Sequence, residues 1–157
     1  MGTAALAQER TTATYDDWVL QCAAVQGGTP GQKTCDIEQL TQMQNQGRTV
    51  PLSRVAIGRP DKGQPSRLTI QVPVNVYLRS EVHLQASTTD PGLVAPFDRC
   101  LPAGCFAEFL LKDETIKKFR TATAAGKMTF QSANGQSVAI PLSFKGFGPA
   151  YDALLKQ

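Results

Sequence analysis

The segment Arg67-Leu68-Thr69-Ile70-Gln71-Val72 alternates polar and apolar side chains without a break, and Pro73 ends it. Successive side chains of an extended chain point to opposite faces. The segment therefore reads as a strand that buries Leu68, Ile70 and Val72 on one face. Proline cannot donate to a ladder, so Pro73 closes the strand or marks an edge.

Upstream, Pro60-Asp61-Lys62-Gly63 is a turn signal, and Val55 and Ile57 sit in a strand from about 50 to 59. The polar stretch from Gln42 to Arg48, with Gly47 in it, reads as another turn. Trp18, Leu20, Cys22 and Ala24 alternate in one strand, and Cys35, Ile37 and Gln39 in the next. Gly27, Gly28, Pro30 and Gly31 bend the chain between them, which predicts a hairpin with a long loop.

Downstream, Val82, Leu84 and Ala86 alternate with Glu81, His83 and Gln85, and Pro91-Gly92 turns the chain. Phe97 to Cys105 forms a short corner, and a strand follows from about Phe106 to Leu111. There the period changes. Asp113 is a candidate helix N-cap, Ile116 and Phe119 share a face, and Lys117, Lys118 and Arg120 lie toward the end where cations suit the helix dipole. One helix of about ten residues is expected, with Gly126 as its breaker. Met128 and Phe130 begin a hairpin that returns through Val138, Ile140 and Leu142. Asn134-Gly135 is the preferred dipeptide of a type I′ turn. Gly146-Phe147-Gly148 makes a corner. Pro149 suits the first position of a terminal helix whose apolar stripe is Ala150, Ala153 and Leu154. Eight or more short strands, regular turns and two short helices predict an all-β sandwich rather than βαβ units.

The chain of 157 residues fits one domain, at roughly 100–200 residues each. The domain is placed at 15–157. Residues 1–14 read as a loose arm, and Ala5-Leu6-Ala7 before Gln8 matches the small-x-small pattern left by a cleaved signal peptide. No apolar run approaches the ~20 residues of a transmembrane helix. The net charge of +3 is mild, and no Lys/Arg run interleaved with aromatics points to nucleic acid. The stretch from 112 to 127 is locally basic, which reads first as a solvated helix face and second as a contact for an anionic surface.

Four cysteines, Cys22, Cys35, Cys100 and Cys105, form two sequence-local pairs. Four cysteines allow three connectivities, and turn residues inside each interval favour local pairing. Two structural disulfides would place the protein in an oxidising compartment, the periplasm or the medium. The first pair lacks the spacing of a zinc site, and neither pair has the Cys-x-x-Cys spacing of a redox motif.

No constellation predicts a reaction. His83 is the only histidine and lies on a presumed outer strand face. No Gly-x-Ser-x-Gly elbow accompanies it. Asp16-Asp17 and Asp113-Glu114 are sequence neighbours, not a pair facing across a cleft. Gly146-Phe147-Gly148 lacks the third glycine of a dinucleotide loop. No cofactor or metal is expected. Trp18, Phe97, Phe106, Phe109 and Phe147 read as core, with Trp18 expected to pack on the Cys22 disulfide.

Several of these residues form a pattern. Trp18-x-x-x-Cys22, Cys35, Pro96-Phe97-x-x-Cys100-x-x-x-Gly104-Cys105-x-Ala107 and Leu142-x-x-x-Gly146-Phe147-x-x-Ala150 together resemble the invasion-associated locus B family of proteobacteria. The resemblance runs from about Tyr15 to Leu154, and the Cys100–Ala107 block and the Gly146-Phe147 corner are its specific parts. It implies an exported protein with an immunoglobulin-like β-sandwich and a link to host-cell entry, and it carries no catalytic residues. The function expected is a non-catalytic binding module of the envelope that contacts a protein or an envelope or host-surface component. An envelope-stability or chaperone-like role and a thiol-disulfide enzyme are the alternatives.

Overall fold

A computed structural model describes residues 10–59 and 61–157. Eleven strands and two helices are seen among them, in two antiparallel sheets. Along the chain come β1 (Arg10–Tyr15), β2 (Trp18–Ala24), β3 (Lys33–Asn45), β4 (Arg48–Gly58), β5 (Arg67–Val72), β6 (Glu81–Gln85) and β7 (Leu93–Pro96). There follow β8 (Arg99–Leu101), β9 (Gly104–Leu110), α1 (Asp113–Thr121), β10 (Gly126–Gln131), β11 (Ser137–Leu142) and α2 (Phe147–Leu155). The larger sheet has the order β1-β2-β3-β4-β5-β9-β8, the smaller β11-β10-β6-β7. Two antiparallel sheets enclosing one apolar core make the all-β, immunoglobulin-like sandwich that the strand pattern and the resemblance implied.

The core follows from the alternation. Leu68, Ile70 and Val72 of β5 are buried, as are Trp18, Leu20 and Cys22 of β2 and Cys35, Ile37 and Gln39 of β3. Val82 and Leu84, Met128 and Phe130, and Ile140 and Leu142 close the core from the smaller sheet. At roughly 1.5–3 kcal/mol for each large apolar side chain removed from water, these faces are the main stabilising term. The helices cap the open side. Phe119 of α1 stacks on Phe144, and Phe147 of α2 meets Phe119 and Trp18 edge-on, with ring centroids 4.8, 5.4 and 5.5 Å apart. Trp18 thus packs on a phenylalanine of the terminal helix. Its indole N–H donates to the Ser143 carbonyl (3.0 Å), which meets the need of a buried donor.

Gln39 is the buried polar residue that ties the sheets together. Its amide nitrogen donates to the Ser143 carbonyl and its amide oxygen accepts from the Ser143 N–H, at 3.0 and 2.9 Å. Gly146 enters α2 with φ +80°, and a Cβ there would collide with the Tyr15 carbonyl. The corner therefore needs glycine.

Several local expectations are corrected. Residues 10–14 are part of β1, paired with β2 from Arg10↔Ala23 to Tyr15↔Trp18, and are no loose arm. The signal-remnant reading of residues 1–7 lies outside the described residues. The span 42–48 is mostly strand. Only Gln46 and Gly47 turn, both at positive φ (50° and 75°), so the two-residue turn with both centres left-handed stands here. At Asn134-Gly135 only the glycine has positive φ. Gly135 N–H donates to Ser132 and Ser132 N–H to Gln136, which makes a three-residue loop. Lys112, not Asp113, is the N-cap of α1, and Asp113 is the first helical residue. The α1 helix ends at Thr121, and Gly126 opens β10. Pro149 is the third residue of α2, where its missing N–H still costs no helical bond. Strand β7 had no clean alternation to announce it.

Candidate interaction surface

β3 and β4 outrun their neighbours. On β3, the last residue paired with β2 is Glu38, and on β4 the pairing with β5 starts at Arg54. Past those points the two strands continue together to Asn45↔Arg48 as a two-stranded ribbon, with no strand on either flank among the described residues. At about 3.4 Å per residue the ribbon projects on the order of 15–20 Å. A bulge between Thr41 and Gln42 leaves Leu52 as the extra residue at its base. Met43 stands opposite Val50, and the two are 48% and 38% exposed. A directly opposed apolar pair this exposed stabilises the ribbon little and is accessible to a partner.

At the ribbon base lies a groove of about 290 Å³, lined by Leu40, Pro51, Leu52, Val72, Pro73 and Ala103 among others. Gln71 fixes its far wall by donating from its side-chain amide to the Ala103 carbonyl (2.9 Å). Leu40 is half exposed, and so are Val74, next along the chain from Pro73, and Leu101, two residues before Ala103. Exposed apolar side chains gathered beside a groove make this a candidate contact surface, whereas Tyr77, Leu78, Val94 and Leu110 are exposed elsewhere. Beside the groove, Arg54 pairs with Glu38 and, at 3.5 Å, with Asp36. Burial raises the Asp36 carboxyl above its ordinary range, while the Gln21 amide and the Arg54 guanidinium pull it down.

The cysteines stand in two pairs at disulfide distance, each pair directly opposed across neighbouring antiparallel strands. Cys22 and Cys35 face each other on β2 and β3 and are buried, with Cα atoms 4.1 Å apart. Cys100 and Cys105 hold the three-residue edge strand β8 against β9, with Cα atoms 4.0 Å apart. Cys100 is exposed and Cys105 fully buried. The second bond thus fixes the β8–β9 turn that supplies Ala103 to the groove.

The other candidates do not come together. His83 is exposed on β6 between Val94 and Thr129. Asp17 accepts a hydrogen bond from the Ser143 hydroxyl (2.5 Å), and Asp113 and Glu114 occupy the first turn of α1. Among the described residues no three His, Cys, Asp or Glu side chains cluster as metal ligands, and no helix is long and apolar enough to cross a membrane. Phe109 and Phe147 are buried. Phe97 is half-buried against Phe130, and Phe106 lies half-buried under the Arg99 guanidinium. Sequence reasoning missed the ribbon and its groove. The available signal was Leu40, which continues the outer face of Asp36 and Glu38 with an apolar residue.

A family model described as Invasion associated locus B (IalB) protein matches residues 18–155. Two curated relatives, each named an invasion protein B homolog, come from Brucella abortus strain 2308 and Brucella abortus biovar 1 strain 9-941. Each is 28% identical over 145 residues, covering 90% of this chain and 77% of the relative. The crystal structure of invasion associated protein b from Bartonella henselae superposes with a TM-score of 0.76 at 19% identity. The match covers 93% of this chain and 95% of that one.

Proposed function

The chain belongs to the invasion-associated locus B family, and from that membership we propose that it is an exported, non-catalytic binding module of the bacterial envelope. The domain, placed from the sequence at 15–157 and extended here to Arg10 by β1, acts as one unit in the periplasm or the medium. The observation that supports this reading is the β3–β4 ribbon with the apolar groove at its base, which offers exposed apolar side chains to a protein partner of the envelope or of a host surface. The paired cysteines support the export reading, because such bonds persist in oxidising compartments. The two curated relatives carry invasion names and no enzymatic one.

The test is recovery of partners from envelope extract by the wild type and by a Leu40→Asp/Met43→Lys variant. Both positions are about half exposed, so the variant should stay within about 0.5 kcal/mol of wild-type stability. A partner retained by the wild type and lost by the folded variant is the expected result. Equal recovery by both proteins, or none by either, would overturn the assignment.

One observation favours a second reading. Cys100 is exposed while Cys105 is buried, so the pair lies at the surface, and thiol-disulfide exchange requires such access for an external thiolate. Failure of dithiol reductants to open the bond in the folded protein would remove this reading.

A further inference from the structure

We propose that a second site, the cleft between α1, α2 and the β4–β5 connection, binds a small organic anion: a phosphate- or carboxylate-bearing molecule with a short apolar arm. The cleft has a volume of about 640 Å³, within the range of small-molecule sites. Its lining shares no residue with the ribbon groove.

Four cations line it, Arg59, Lys112, Lys117 and Arg120, against one carboxylate, Asp113. Arg120 is engaged: its guanidinium lies over the Tyr151 ring and bonds Asp152 at 2.6 Å. Arg59, Lys112 and Lys117 form no ion pair among the described residues. Like charges brought to one concavity repel each other, and an anion between them relieves that cost.

The simplest competing account is that a basic helix face suits the helix dipole. It covers the last turn of α1, where Lys118 also bonds Asp90 on another surface (2.8 Å). It fails for Lys112, which sits at the N-cap, where a cation opposes the dipole, and for Arg59, which belongs to no helix.

The rest of the lining is largely apolar, through exposed Pro65, half-buried Ile116 and Leu155 and buried Leu111. Ser66 and Tyr151 close it with a buried hydroxyl pair 2.7 Å apart. One hydroxyl of that pair donates to the other, which leaves the second proton for an incoming acceptor. A cationic rim over an apolar and hydroxyl-bearing floor matches an anionic head with a short hydrocarbon arm. The hydroxyl pair at its floor is buried, which suits a discrete ligand with an arm better than a flat lipid surface.

The experiment titrates the folded protein at low ionic strength with n-hexyl phosphate, with inorganic phosphate and with vesicles containing an anionic phospholipid. Amide NMR shifts locate the binding. Hexyl phosphate should shift residues 64–66, 111–117 and 151–155, and inorganic phosphate should bind there more weakly. A Lys112→Glu/Lys117→Glu variant with an unchanged melting profile should bind hexyl phosphate at least about tenfold more weakly, the loss expected from charge-assisted contacts. Absence of hexyl phosphate binding at millimolar concentration, shifts elsewhere, or equal affinity in the charge-reversed variant would overturn the site. So would vesicle binding that hexyl phosphate does not compete away, which would mean a surface patch in place of a ligand cleft.

Discussion

Strand β3 passes through two environments within thirteen residues. From Cys35 to Gln39 every second side chain is buried, cross-linked to β2 and covered by the smaller sheet and α2. From Gln42 to Asn45 every side chain is exposed. The backbone ladder to β4 continues through both halves, with one bulge at the boundary. The ladder to β4 therefore does not distinguish them, but the pairing with β2 does, since it ends at Glu38. The second layer differs too: the first half has the Trp18–Phe147–Phe119 cluster behind it, and the second half has solvent. The first half carries stability, and the second is free to carry contact.

The hardest test of this contrast is Phe147→Ala. Phe147 is fully buried and touches Trp18, Phe119 and Tyr151. Its loss should cost about 3–5 kcal/mol in chemical denaturation, the usual range for a buried phenylalanine. A cost under 1 kcal/mol would mean that α2 is not the second layer the account needs.

The next largest effect concerns the cross-links. Replacing Cys22 and Cys35 together by serine opens an interval of 13 positions and should cost about 3 kcal/mol in the chain-entropy picture. Replacing Cys100 and Cys105 opens an interval of 5 and should cost about 2 kcal/mol. The second change should also weaken any ligand of the groove, because it frees the turn bearing Ala103. Equal loss of partner binding in both variants would erase the distinction between a stabilising and a shaping bond.

The smallest effect is at Asp36, beside the groove. Burial raises its folded-state carboxyl above the ordinary 3.8, so the folded protein holds that proton more tightly than the unfolded chain. The contribution then favours folding as pH falls through the raised value, and the ionised form works against folding at neutral pH. Asp36→Asn should leave stability at pH 7 equal or slightly higher, and the two proteins should converge below pH 3.8. A clear loss at pH 7 would show that the pairing with Arg54 outweighs the burial.

The layers of the fold were legible because their signal is local. Residues 67–72 and 18–24 alternate cleanly, and both emerge with those bounds or within a residue of them. The ribbon was not legible for the same reason. Gln42-Met43-Gln44-Asn45-Gln46-Gly47 has the polar composition of a turn, and only pairing with β4 makes its first four residues strand. Strand β7 was hidden by its shortness and by Pro96, which suits an edge position. At Asn134-Gly135 the dipeptide was present, but the loop closes over three residues. Beyond the single cue of Leu40 the groove was not legible, because it joins β3, β4, β5 and the β8–β9 turn from distant parts of the chain. The cysteine pairs were legible in spacing, whereas their placement in opposed strand registers required the sheet.

The most direct measurement places a photo-crosslinking amino acid at Met43, and separately at Lys62 as an exposed control, in cells that export the protein. One discrete adduct is expected from position 43, disappearing with Leu40→Asp, and none from position 62. An adduct from position 62 alone, or one from position 43 that survives Leu40→Asp, would contradict the assignment of the ribbon and its groove as the contact surface.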